Sequence, residues 1–378
     1  MKAKQFNCRI AGIAVMLCLF VSLQVSAQKK VACVGNSITY GYDFPSPSTQ
    51  SYPGQMQVLL GSGWTVGNFG SSGRTMLKNS GYSYWDDRKY RAALTSKPNF
   101  VVIELGTNDA KNWLWDSQGA QFKNDYKAMV QSFQKLSTKP EIWAGLLIPG
   151  NNLEWGILNS YIKDKVNPQI KEVALEMGLN LIDLYTELDQ NKPAWYLADS
   201  IHPNVTGAGV IAQKVKEMLV MPKPVAVFAG GKVIAPAAYG YQWYFNGGPV
   251  ASPAGNQQEM AVTQSGNYKV SVKINASTET WLVSPELNAA PSGMAMAAPM
   301  NKTLIYPGPV TDFVYLKSDS LKRNTSYKIS DLSGRVVLSG NLSKLNDVGS
   351  IDVSSLVPGI YVMLLGNERI RFIKEIKN

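Results

Sequence analysis

The stretch VACVGNSITYGY, residues 31–42, places a continuous apolar run directly before a turn that carries a serine. The run lacks the apolar–polar alternation of a half-exposed strand, so it predicts a β-strand covered on both faces. Runs of the same kind recur as WTVGNF (64–69), FVVIEL (100–105), EIWAGLLI (141–148) and LNLIDLY (179–185). Together these runs predict a sheet whose strands are parallel and fully buried.

Segments with helical spacing of apolar residues lie between these runs. They cover about 52–60, 84–96, 119–137, 156–177 and 205–219. Strands that alternate with helices predict an α/β fold with a doubly wound parallel sheet. Right-handed crossovers bring the carboxyl ends of the strands to one edge, so the polar clusters that follow them should converge there.

The sequence changes character near residue 222, where a Pro-containing joint leads into strand-rich sequence. Residues 222–287 predict a small β-sandwich, because short alternating runs are separated by Gly- and Asn-containing turns. Trp243 and Tyr268 resemble the core Trp and corner Tyr of immunoglobulin-like domains, without the cysteine pair. A linker rich in Ala, Met and Pro (288–301) and a second small all-β domain (302–378) complete the predicted order.

The first 27 residues have the organisation of a secretory signal peptide. Lys2, Lys4 and Arg9 precede an apolar run over residues 11–25, and Val25-Ser26-Ala27 fits a cleavage site. The run is short for a membrane span, and no later segment is long and apolar enough, so we expect no span in the mature chain. The predicted α/β domain therefore covers residues 28–221.

Composition excludes several classes of protein. Hydrophobic residues make up 45% and charged residues 17% of the chain, which argues against disorder. The formal charge of +10 falls to +7 without the signal cations, and the cations are scattered, so we expect no nucleic-acid site. Cys33 is the one cysteine outside the signal segment, and it lies in a buried strand. With a single histidine in the chain, neither a metal cluster nor a cofactor is expected.

The single histidine, His202, stands in ADSIHPN (198–204), three residues after Asp199. An aspartate at this spacing can orient an imidazole and stabilise its protonated form, as a general base requires. Ser37 ends the first strand and needs such a base to act as a nucleophile. Alone, His202 could be a satisfied structural histidine and Ser37 a turn residue; the predicted sheet brings them to the same edge.

Two further loops offer hydrogen-bond donors. In NFGSSGRT (68–75), Gly70 and Gly73 permit a bare backbone N–H, and in ELGTNDA (104–110) Asn108 carries an amide. An acyl-transfer transition state develops negative charge on oxygen, which fixed donors stabilise. The predicted oxyanion hole consists of the Ser37 N–H, the Gly70 N–H and the Asn108 side chain.

Taken in order, Gly35-Asn36-Ser37, Gly70, Gly106-Thr107-Asn108-Asp109 and Asp199-x-x-His202 resemble the motifs of the SGNH (GDSL-type) hydrolase family over roughly residues 29–220. The resemblance implies a flavodoxin-like three-layer α/β fold and ester hydrolysis without a metal. It also implies roles for five residues: Ser37 as nucleophile, His202 as base, Asp199 as its orienting acid, and Gly70 and Asn108 as oxyanion donors. The usual Asp of Gly-Asp-Ser is Asn36 here.

Substrate specificity is less constrained. Four tryptophans near strand ends could stack on sugar rings or could pack the loops onto the core: Trp113, Trp115, Trp155 and Trp195. Exported members of the family with added β domains often resemble carbohydrate O-acetylesterases. We therefore expect removal of O-acetyl groups from a sialate-, xylan- or pectin-type carbohydrate. The alternatives are a short-chain carboxylesterase, lipase or thioesterase, or a glycan-binding surface protein without activity.

The last unit resembles the C-terminal sorting domains of the type nine secretion pathway, through its YPGPV start (306–310) and its GIY strand (359–361). This resemblance implies contact with the secretion machinery and delivery to the cell surface or medium. If the unit is instead a structural or adhesive module, a periplasmic location is expected.

Overall fold

The computed structural model describes residues 28–189, 193–291 and 304–375, apart from 307–309, 318–324, 332–334, 343, 346–347 and 366–367. The predicted signal peptide and most of the predicted linker lie outside the described residues. No helix among the described residues combines the length and the apolar character needed to cross a membrane.

The first unit alternates strands and helices from residue 29 to residue 220. Its strands are β1 (Lys29–Gly35), β2 (Trp64–Gly70), β3 (Phe100–Glu104), β4 (Glu141–Leu146) and β5 (Asn180–Asp183). Its helices are α1 (Ser37–Tyr40), α2 (Pro47–Gln50), α3 (Tyr52–Leu60), α4 (Arg88–Thr95), α5 (Asn112–Gln118), α6 (Phe122–Gln134), α7 (Asn159–Tyr161), α8 (Asn167–Met177), α9 (Leu184–Asp189) and α10 (Val205–Val220). A π-helical segment, Ile162–Val166, joins α7 to α8.

The five strands form a parallel sheet in the order β2-β1-β3-β4-β5, with Val31 of β1 beside both Val66 and Phe100. Side chains of each strand alternate between two hydrophobic cores, one on each face of the sheet. Val34 of β1 packs in one core, whereas Cys33 packs in the other. The predicted three-layer α/β fold is confirmed. Burial raises the pKa of the Cys33 thiol to about 12, so this cysteine is an inert part of the core.

The second unit contains β6 (Val227–Ala229), β7 (Lys232–Ile234), β8 (Gly240–Phe245), β9 (Gly248–Pro249), β10 (Glu259–Ala261), β11 (Gly266–Lys273), β12 (Trp281–Val283) and β13 (Leu287–Ala289). Strands β10-β7-β6 form one sheet, and its apolar side chains pack against those of β8 and β11. Trp243 is fully buried, and the Tyr268 hydroxyl donates to the Gln264 carbonyl at 2.7 Å. These two side chains thus have the core and corner positions expected from the sequence.

The two units share one sheet, which the sequence did not predict. Strand β12 pairs antiparallel with β5 through Trp281 and Leu181, so the sheet continues as β5-β12-β11-β8-β9. The Asp183 carboxylate accepts a hydrogen bond from the Glu279 N–H at 2.8 Å, and the Asn180 side chain accepts one from the Val283 N–H at 2.9 Å. An open edge of β5 would present unpaired backbone groups, and β12 covers them.

The third unit consists of two four-stranded sheets. They contain β14 (Leu304–Tyr306), β15 (Phe313–Lys317), β16 (Thr325–Ser330), β17 (Val336–Leu342), β18 (Lys344–Leu345), β19 (Val348–Asp352), β20 (Gly359–Leu365) and β21 (Glu368–Lys374). Strands of both sheets contribute to a hydrophobic core whose buried members all lie between Val310 and Phe372. This unit therefore has a core of its own.

Candidate active site

Ser37 is the first residue of α1, directly after β1. The Asn36 side chain caps this helix, because its Oδ1 accepts a hydrogen bond from the Ile38 N–H at 2.8 Å. A side chain at Gly35 would place its Cβ 2.0 Å from Thr39 Oγ1, so only glycine permits the chain to turn so sharply into the helix. Asn36, where the family usually has Asp, therefore caps the helix that begins at Ser37.

The structure brings His202 to Ser37 across 165 residues of chain. His202 Nε2 lies 2.7 Å from Ser37 Oγ, and His202 Nδ1 lies 2.7 Å from Asp199 Oδ2. Since a carboxylate can only accept, Nδ1 carries the ring proton and Nε2 is free to accept the serine proton. Ser37 and His202 are 8% and 4% exposed, so the hydrogen bond between them is shielded from bulk water.

Asp199 is held as a carboxylate by the turn that it begins. Burial would raise its pKa, but hydrogen bonds from the His202 and Ile201 backbone N–H groups and from the His202 ring outweigh burial, and the pKa is lowered. Both backbone bonds go to Oδ1 at 2.9 Å, which leaves Oδ2 for the imidazole. Ser200 has a positive φ of 57°, a strained conformation that this tight turn requires.

The loop after β4 holds this turn in place from the other side. The Asn152 amide donates to the Asp199 carbonyl at 3.1 Å, and the Asn151 N–H donates to the Ser200 carbonyl at 3.1 Å. On the far side, Asn204 caps α10 by accepting from the Gly207 N–H at 3.0 Å. The turn that carries Asp199 and His202 is therefore held by hydrogen bonds at both ends.

Asn108 lies at the carboxyl end of β3 with its amide oriented by the loop after β2. Its Nδ2 donates to the Arg74 carbonyl at 3.0 Å, which leaves the second amide hydrogen for a substrate oxygen. The neighbouring Asp109 fixes that loop by accepting hydrogen bonds from Met76 N–H at 2.9 Å and Leu77 N–H at 2.8 Å. The sequence motif contained Asp109, but its part in joining the two loops was not predicted.

The expectation for Gly70 requires revision. Its N–H donates to Asn68 Oδ1 at 2.9 Å, and a Cβ there would lie 2.2 Å from the Tyr40 nitrogen, so this glycine serves close packing against α1. Gly73, in the same loop, has a positive φ of 76° and open space around it. No described residue accepts a hydrogen bond from the Gly73 N–H. Gly73 is therefore the better-placed backbone donor of the two.

Comparison with known proteins finds matches in two parts of the chain. Residues 33–210 match the model of the GDSL-like lipase/acylhydrolase family, and residues 304–376 match that of the secretion system C-terminal sorting domain. The chain carries a GDSL-like lipase/acylhydrolase domain. Its last unit is a sorting domain of the type predicted from the sequence.

A curated relative of this GDSL-like domain is an acetylxylan esterase from Xylanibacter ruminicola, 36% identical over 203 residues. The match covers 49% of this chain and 42% of that protein, so the chain spans less than half of the relative's length. Among solved structures, a carbohydrate acetylesterase from Sinorhizobium meliloti is 19% identical with a TM-score of 0.43, over 51% of this chain and 98% of the other. An acetylxylan esterase mutant from Geobacillus stearothermophilus is 20% identical with a TM-score of 0.40, over 53% and 98%.

The four tryptophans that the sequence suggested for sugar stacking have different surroundings. Trp155 is 37% exposed, and its ring meets the His202 ring edge-on at 5.8 Å. Trp113 is 54% exposed. Trp115 is buried in the core against Phe122, as expected if this side chain packs its loop onto the core and does not stack on a sugar. Trp195 is half-buried against α10 and packs on the second core.

Tyr42 is a site residue that the sequence did not reveal. Its ring stacks on the His202 imidazole with centroids 4.2 Å apart and an interplanar angle of 26°. Together with Trp155, it flanks His202 with aromatic surface. A tyrosine five residues after the nucleophile carries no motif, so only the three-dimensional structure identifies it.

Proposed function

We propose that this protein is an exported serine esterase that removes O-acetyl groups from carbohydrate. The observation that carries the proposal is the continuous chain of hydrogen bonds from Ser37 Oγ through the His202 ring to Asp199 Oδ2, each 2.7 Å long. These three groups in this order can activate a serine hydroxyl for attack on an acyl group.

In the proposed mechanism, His202 Nε2 takes the Ser37 proton as Oγ attacks the ester carbonyl. Asp199 stabilises the imidazolium that forms and keeps the ring oriented. The Ser37 and Gly73 N–H groups and the Asn108 amide donate to the oxyanion, where one lost donor typically costs about 10²- to 10³-fold in rate. His202 then protonates the leaving sugar hydroxyl, and a water repeats the cycle to release acetate and free Ser37.

The substrate class rests on the similarity of the GDSL-like domain to an acetylxylan esterase and on the aromatic surroundings of the histidine. Acetyl is a small acyl group, which suits a site in which the serine and histidine are almost fully covered. The match to a sorting domain supports export to the cell surface or the medium.

The decisive experiment measures acetate release by the full-length protein from acetylated xylan, acetylated pectin and acetylated sialic acid. We expect release from at least one of these and complete loss in Ser37→Ala, because no other group in the mechanism can form the acyl-enzyme. Ser62→Ala is the matched control, since Ser62 is an exposed turn residue.

Hydrolysis of a nitrophenyl acetate without release from any acetylated carbohydrate would favour the short-chain carboxylesterase alternative. Retention of activity in Ser37→Ala would refute the mechanism. Binding to a glycan without turnover of any ester would favour a non-catalytic surface protein.

A further inference from the structure

The exposed aromatic side chains of the GDSL-like domain are concentrated at one edge of the sheet. Tyr40 and Tyr42 follow β1, Tyr82 follows β2, Trp113 follows β3 and Trp155 follows β4, and all are between 37% and 54% exposed. No other aromatic side chain among the described residues 28–189 and 193–221 is exposed to this degree. Single exposed apolar side chains are ordinary, but a concentration of them in one region typically marks a binding site, so this distribution points to a ligand.

Two of these side chains lie against the catalytic histidine. Tyr42 stacks on one face of the imidazole at 4.2 Å, and Trp155 approaches it edge-on at 5.8 Å. The exposed aromatic side chains therefore extend up to the His202 ring.

The surface continues away from the histidine through the loop after β4. The Gly156 carbonyl accepts a hydrogen bond from the Asn112 N–H at 2.9 Å, and the Cβ position of Gly156 lies 3.4 Å from the Trp113 ring. Trp113 is thus a direct neighbour of the Trp155 loop. Beyond it, the Lys111 ammonium lies 5.6 Å from the centre of the Tyr82 ring. We call Tyr42, Trp155, Trp113 and Tyr82 the aromatic rim.

The chemistry of this rim suits a chain of sugar units. A sugar ring presents a flat face of C–H groups that packs on an aromatic ring, while its hydroxyls stay in water or bind polar neighbours. Two half-buried polar side chains lie beside the rim: Lys111 over the Tyr82 ring, and Asn112 next to Gly156 and Trp113. A long acyl chain would need a continuous apolar groove instead, and an isolated acetyl group would need only the surroundings of Ser37 and His202.

We propose that the aromatic rim binds successive sugar units of an acetylated polysaccharide and makes the enzyme selective for glycan chains over monosaccharide esters. This inference rests on the esterase function proposed above. Trp113 and Tyr82 bind units remote from the acetyl group, whereas Tyr42 and Trp155 contact the unit that carries it.

The test compares kcat/KM of the full-length protein on acetylated xylan, acetylated pectin, their monosaccharide acetates and 4-nitrophenyl acetate. Wild-type protein should prefer a polymer to its monosaccharide acetate. In Trp113→Ala and Tyr82→Ala, the ratio of kcat/KM on that polymer to kcat/KM on 4-nitrophenyl acetate should fall about tenfold, mainly through KM. Because both substrates are measured on one preparation, the ratio does not depend on the folded fraction.

Tyr239→Ala is the matched control, because Tyr239 is 62% exposed but belongs to the second unit. It should leave the ratio unchanged. An unchanged ratio in both rim variants, or a wild-type protein without preference for polymer, would refute the proposed role of the aromatic rim. Neither result would contradict the proposed esterase function. Absence of Ser37-dependent hydrolysis on every substrate would instead overturn the proposed function.

Discussion

Glu104 lies next to the turn that carries Ser37, because it ends β3 beside Gly35 of β1. It is fully buried, and the Thr39 hydroxyl of α1 donates to its Oε2 at 3.3 Å. Burial raises the pKa of Glu104 to about 8, with the Thr39 hydrogen bond opposing the shift. At neutral pH this acid is therefore protonated, and the serine turn rests on an uncharged polar group.

This ionisation state predicts how stability depends on pH. The unfolded chain loses the Glu104 proton near the ordinary value of 4.5, whereas the folded protein retains it up to about pH 8. Between these values the unfolded state binds fewer protons, so Glu104 lowers the free energy of unfolding by up to about 1.4 kcal/mol per pH unit. Glu104→Gln removes this loss.

Chemical denaturation at pH 5 and pH 8 measures the effect. The free energy of unfolding of Glu104→Gln relative to wild type should be larger at pH 8 than at pH 5. Glu104→Ala is the control for packing, since its cavity should lower the free energy of unfolding even at pH 5, where Glu104→Gln costs little. Parallel pH profiles for wild type and Glu104→Gln would show that the carboxyl is already ionised in the folded protein.

At the level of single residues, the sequence predicted the groups that chemistry requires and missed those that only geometry selects. Ser37 and His202 could be paired because the chain has one histidine and both lie at strand ends. Gly70 and Gly73 could not be ranked, because the hydrogen bond from the Gly70 N–H to Asn68 is invisible in the sequence. Tyr42 lacked any motif.

Among the elements, the parallel strands were predictable because each is a continuous apolar run buried on both faces. Helix α3 (Tyr52–Leu60) was also predicted. In the structure, Ser51 caps it and Pro53 lies in its first turn. Helix α1 was not, since four residues give no period to detect. The pairing of β12 with β5 was also missed. Strand β12 has only three residues, and it pairs with a strand about a hundred positions earlier in the chain.

The shared sheet predicts that the first two units unfold together. Trp281 lies in β12, a strand of the second unit. Its side chain is only 7% exposed and packs in the core of the GDSL-like domain. Trp281→Ala should therefore lower the free energy of unfolding by about 3–5 kcal/mol, seen as a shift of one cooperative transition.

Denaturation followed by both far-UV circular dichroism and esterase activity tests this coupling. Tyr239→Ala, an exposed aromatic in the same unit, should leave the transition in place. Separate transitions, with activity lost at the same denaturant concentration as in wild type, would mean that the second unit unfolds independently of the catalytic domain.

On the scale of the whole molecule, the chain combines a body of proposed catalytic function, here called the catalytic body, with a C-terminal sorting domain. The GDSL-like domain and the second unit share a sheet and a core, whereas the last unit has a core built between Val310 and Phe372. Its Tyr361 hydroxyl donates to the Val357 carbonyl at 2.7 Å, a corner contact within the unit itself. The proposed catalysis and the proposed export thus belong to parts of the chain that have separate hydrophobic cores.

This division predicts the outcome of removing the last unit. A chain that ends at Met300 retains every described residue of the catalytic body, so its kcat/KM on 4-nitrophenyl acetate should equal that of the full chain. In a host with the matching secretion machinery, the shortened chain should stay in the cell, while full-length Ser37→Ala should reach the surface or medium. Immunoblots of cell and medium fractions, with activity measured on purified protein, distinguish the two effects. Loss of activity on truncation would show that the catalytic body needs the last unit for its activity. Export of the shortened chain would show that the export signal lies elsewhere in the chain.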